Sequence, residues 1–134
     1  MCIGDGKGQC CSVEFPGDRV RFIRNQAYHT NHFLSLTNND HIRDKLRYQN
    51  SMDRFERVEQ LWQDQVSLQS ILFDYDEQKQ NNPICRSYKP TSLGCVGTVC
   101  SIIMNLKEGT MNITKGNPRQ HPKFYEYQID REEM

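Results

Sequence analysis

Apolar and charged positions alternate over Asp18 to Arg24, and this two-residue period predicts a strand with Val20 and Phe22 turned inward. Pro16-Gly17 before it marks a turn. A second strand is expected at Phe33 to Leu36, closed by the turn chemistry of Thr37-Asn38-Asn39-Asp40, and a third at Lys45 to Gln49. From Met52 onward two readings compete. Met52, Phe55, Val58, Trp62, Val66 and Gln69 recur roughly every three to four residues among good helix formers, with Asn50 as a cap, which describes a helix. Alternation at Val66, Leu68, Ser70 and Leu72 describes a strand instead. Phe55 to Glu59 then forms an earlier strand, and Trp62 to Gln65 the turn between them.

Similar segments downstream favour the strands. Ile71 to Tyr75, Ile84 to Tyr88, Val99 to Met104, Met111 to Lys115 and Phe124 to Ile129 follow the same order, with Lys107-Glu108-Gly109 as a turn. Three units of about 40 residues, each too small to bury its own apolar face, suit a pseudo-threefold closed assembly without sheet edges. The expected fold is therefore all-β: a single-domain β-trefoil of three pseudo-repeats with about four strands each. The alternative is α+β with a helix at about residues 51–72. Residues 1–14, glycine-rich and without periodicity, are expected to be a flexible N-terminal arm, and 15–134 the domain.

The residues behind this expectation resemble a family. An apolar pair (Phe33-Leu34), a turn (Asn38-Asn39-Asp40), a phenylalanine opening the fourth strand (Phe55), a short turn (Gln63-Asp64-Gln65) and Val66-Ser67-Leu68-Gln69-Ser70 resemble a β-trefoil unit, most nearly that of fascin-like domains. The match spans about residues 19–70, with a looser echo to Ile129. It departs from the pattern in lacking a glycine before Val66 and an aromatic residue near Leu93 to Gly97. The resemblance implies a protein partner, cytoskeletal in kind.

Composition narrows the function classes. Lys plus Arg equals Asp plus Glu at 17 each, so no overall field draws nucleic acid or anionic lipid. No run approaches the ~18 apolar residues of a membrane span. Met1 to Gly8 lacks the apolar core of a secretory signal, so the chain reads as cytoplasmic, or secreted without a classical leader. Six cysteines are then expected to be reduced, and with no C-x-x-C spacing neither a metal nor a cofactor is expected.

Catalytic signals are sparse. His29-x-x-His32 lacks the intervening Glu of a zinc signature, and neither a nucleophile elbow nor a P-loop occurs. Asn112-Ile113-Thr114 is a formal glycosylation sequon that falls within an expected strand. The function expected is thus a non-enzymatic binding module, contacting a protein through loops on a rigid β core. The alternative is a lectin-like domain binding sugar through Tyr28, His29, His32, Asn38, Asp40 and His41, which combine an aromatic platform with polar groups in one unit.

Overall fold

The computed structural model describes residues 1–17, 19–24, 26–36, 44–75, 82–92 and 94–129. The described residues form three small antiparallel sheets and two helices, an α+β composition with no threefold barrel among them. The first sheet joins β1 (Cys2–Gly4), β2 (Cys10–Glu14) and β3 (Arg21–Arg24) in that order. Two of its strands thus come from the segment expected to be a flexible arm. Glycine enrichment there serves the turn: Gly8 has φ 85°, and the Asp5 carboxylate accepts the backbone N–H groups of Lys7 and Gln9, each at 2.9 Å.

Helix α1 (Lys45–Gln63) replaces the strands expected at 45–49 and 55–59. Asp44 caps it by accepting the N–H of Arg47 at 3.0 Å, the role the sequence suggested for Asn50. At the other end the N–H of Gln65 bonds to Trp62 O and that of Val66 to Leu61 O, both at 3.1 Å. Gln65 stands in the left-handed region at φ 55°. These two bonds form a Schellman ending with glutamine where glycine is usual. A turn does follow Trp62, at Asp64 and Gln65, but a helix precedes it instead of an extended segment. Ser67 then caps the short α2 (Leu68–Leu72), accepting the N–H of Ser70 at 3.2 Å, so the alternating serines read as strand are a helix start.

The remaining strands are β4 (Lys89–Thr91) paired with β5 (Gly94–Val96), and a meander of β6 (Ile102–Asn105), β7 (Thr110–Thr114) and β8 (Phe124–Gln128). The meander lies where alternation placed it. Its Phe124 stacks on Phe73 beside α2, ring centroids 5.6 Å apart, tying sheet to helix. Asn112 lies in the central strand and Thr114 is buried, so the sequon belongs to packed structure.

Only Val13, Leu61, Ile71 and Cys85 are buried hydrophobic residues among those described, whereas Ser12, Glu14, His32, Ser51, Ser101, Thr114 and Asn117 are buried polar ones. Polar bonding therefore shares the work of cohesion with apolar burial. Phe22 and Val20 point outward, 65% and 48% exposed, against expectation. On β3, Arg21 stands opposite Glu14 and Ile23 opposite Ser12, and those residues occupy the inner side. Phe33 to Leu36 is irregular rather than a strand, because its amides bond to a side chain. All six cysteines are unpaired, and no helix among the described residues is long and apolar enough to cross a membrane.

Candidate active site

Glu14 is the centre of a polar knot. It is 3% exposed on β2, and its carboxylate accepts the N–H of Leu34 at 2.6 Å, the N–H of Ser35 at 3.0 Å, the Ser35 hydroxyl, and His29 Nε2 at 2.8 Å. Burial alone raises a carboxyl pKa. Here the bonds from Ser35, His29 and Leu34 outweigh it and bring Glu14 down to about 2. The other ring nitrogen of His29, Nδ1, faces the Thr30 carbonyl. The hydrogen bond between Glu14 and the part-buried His29 thus helps to pin the 28–35 segment to the first sheet.

Helix α1 holds the same segment from the other side. Its spacing of three to four residues puts Tyr48, Ser51, Phe55 and Trp62 on one face. Phe55 meets Tyr28 at 5.1 Å and His32 at 5.3 Å between ring centroids. The Tyr28 hydroxyl donates to Glu59 at 3.0 Å, and burial followed by this bond raises the Tyr28 pKa. Ser51, 1% exposed, gives its proton to Thr30 Oγ1 at 3.0 Å, while Thr30 gives its own to the Ser51 carbonyl at 2.9 Å. Both hydroxyl protons are then committed, so His32 Nδ1, 2.9 Å from Ser51 Oγ, must be the donor. His32 is held below its usual pKa, by burial first and the nearby His29 charge second. In its neutral form it carries the lone pair on Nε2.

Asn31 lies between these two histidines and is exposed. Its backbone N–H donates to Ser51 Oγ at 2.7 Å, and its Oδ1 accepts from Arg54 Nη2 at 3.0 Å. Arg54 is itself positioned by Nε bonds to Asn50 O at 3.3 Å and Oδ1 at 3.1 Å. With the oxygen so occupied, the Nδ2 donor of this exposed residue is bonded to none of the described residues.

Tyr28, His29 and His32 lie together on one short segment packed against α1. Asn38, Asp40 and His41 lie outside the described residues. Sequence reasoning missed Glu14, Asn31, Ser51 and Arg54; a carboxylate flanked by apolar Val13 and Phe15 reads by alternation as a solvent-facing charge, so no local signal marked Glu14 as buried. No group of three metal-ligating side chains occurs among the described residues. Cys85 is fully buried, and burial pushes its thiol pKa up.

A family model described as acyl-coenzyme A:6-aminopenicillanic acid acyl-transferase matches residues 1–120. No curated protein and no solved structure matches the chain. The family match overturns the resemblance to β-trefoil and fascin-like domains, which rested on short alternating stretches that α1 and α2 occupy. With it fall the non-enzymatic binding module and the lectin-like alternative, since the family is one of enzymes that transfer acyl groups. Matched over most of its length, the chain belongs to the acyl-coenzyme A:6-aminopenicillanic acid acyltransferase family.

Proposed function

We propose that this chain acts in acyl transfer, and that Asn31 binds the carbonyl oxygen of the acyl group as negative charge develops on it. The observation that carries this reading is the constrained amide: Oδ1 is held by Arg54 and the backbone N–H by Ser51, leaving the Nδ2 of this exposed residue unused among the described residues. A donor fixed before the reaction stabilises an oxyanion without reorganising, and removing one such donor commonly lowers turnover about 100- to 1,000-fold. Glu14, His29, Thr30, Ser51 and Arg54 are positioning residues, since each acts by fixing the segment that carries Asn31.

The attacking group lies outside this knot. Ser51 is too buried to reach substrate, and its oxygen is fully engaged. Cys85 donates to Asn117 Oδ1 at 3.7 Å, in a sealed position. The test is release of free thiol from acetyl-, octanoyl- and phenylacetyl-coenzyme A by the full chain, with an amine acceptor present. We expect acceptor-dependent thiol release, and a fall of about 100-fold or more in kcat for Asn31→Ala with the fold unchanged by circular dichroism. Absence of thiol release with every donor, or wild-type turnover in N31A, overturns the proposal.

A further inference from the structure

The first sheet has a second side that the acyl-transfer reading leaves unused. Cys11 pairs with Arg24 and Val13 with Phe22, which puts these four side chains on the face opposite Ser12 and Glu14. On that face Ile3, Cys11, Phe22 and Arg24 join Gln26 and Ala27 around a cleft of about 650 Å³. Small-molecule sites commonly have volumes of about 300–1,000 Å³. Ile3 and Phe22 present apolar walls, 48% and 65% exposed.

The polar groups of the cleft differ in how far they are already engaged. Asp5 lines it too, but its Oδ1 is taken by the N–H groups of Lys7 and Gln9, which makes it part of the turn. Gln26 donates its amide to Tyr28 O at 2.9 Å. Arg24 forms no ion pair with a described residue. Its guanidinium is a planar fork that takes a carboxylate through two parallel N–H bonds. A bare inorganic anion would satisfy the fork but leave the walls in contact with water. A ligand with an apolar body covers both.

We propose that this cleft binds an apolar carboxylic acid, with the carboxylate on Arg24 and an aryl or alkyl body against Phe22 and Ile3. The proposal is independent of Asn31 and of acyl transfer. The test is calorimetric titration of the full chain with 2-naphthoate and, in parallel, with the uncharged 2-naphthamide. The acid should bind at least tenfold more tightly than the amide. Arg24→Gln should abolish that difference, while Phe22→Ala should weaken both ligands several-fold. Both side chains are exposed, so the variants should retain the wild-type circular dichroism spectrum. If either variant fails to fold, the acid-to-amide ratio of the wild-type chain decides alone. Equal affinity of the two probes for wild type, no binding of the acid, or an unchanged ratio in R24Q overturns the site.

Discussion

Replacing Glu14 with glutamine changes few atoms and should cost the protein a large share of its stability. The carboxylate accepts four hydrogen bonds, from Leu34, Ser35 twice and His29, in a position that is 3% exposed. Glutamine keeps one acceptor oxygen and turns an NH₂ toward groups that are themselves donors. It also takes away the carboxylate oxygen that His29 Nε2 bonds to. Breaking a buried pair in this way costs about 3–5 kcal/mol. Linkage gives a similar magnitude: the carboxyl moves from 4.5 to about 2 on folding. At about 1.4 kcal/mol per unit, this contributes on the order of 3 kcal/mol. Because the folded-state pKa is the lower one, this contribution is complete above pH 4.5 and is lost as pH falls toward 2. Urea titrations of wild type and E14Q from pH 7 to pH 2.5 measure both effects. Wild type should lose stability steeply below pH 4.5, and E14Q should start several kcal/mol lower with that part of the slope removed. A loss under ~1 kcal/mol at pH 7 with equal slopes would refute the reasoning.

Two further substitutions address the frame. Gln65→Gly relieves a left-handed residue at the end of α1 and should raise stability by about 0.5–1 kcal/mol, the relief exceeding glycine's entropic cost, read as a higher urea midpoint at constant slope. Ser51→Ala leaves the Asn31 N–H and His32 Nδ1 without their acceptor, and should destabilise by about 2–4 kcal/mol in the same titration. It should also lower thiol release from acyl-coenzyme A, because Asn31 loses its anchor. A Ser51→Ala protein that keeps full turnover would detach Ser51 from the positioning of Asn31.

The sequence was most legible where local rules act alone. Strands expected at Val99 to Met104, Met111 to Lys115 and Phe124 to Ile129 flank a turn at Lys107-Glu108-Gly109; the first of them begins only at Ile102, and Gly109 has the positive φ (70°) such a turn uses. In Phe55, Val58 and Trp62 the helical spacing was visible, but alternation in Val66 to Ser70 pulled the reading toward strands. Ser67 is there to cap α2, a role that short-range alternation cannot distinguish from a strand face. Phe33 to Leu36 has strand composition, yet its amides serve Glu14, about twenty residues earlier. That partnership is a tertiary fact with no local periodicity. Of the site, the aromatic and histidine members were recognisable as types. Asn31 acquires meaning only from Arg54 and Ser51 on a helix more than a dozen residues away.

Among the described residues, fifteen large apolar side chains are exposed while four hydrophobic ones are buried, and the formal net charge at pH 7 is zero. Copies of the chain near neutrality therefore have sticky surfaces and no long-range repulsion to keep them apart. Colloidal stability should reach its minimum close to pH 7, with a negative second virial coefficient in static light scattering. Moving the buffer to pH 9, where the chain becomes an anion, should restore dispersion.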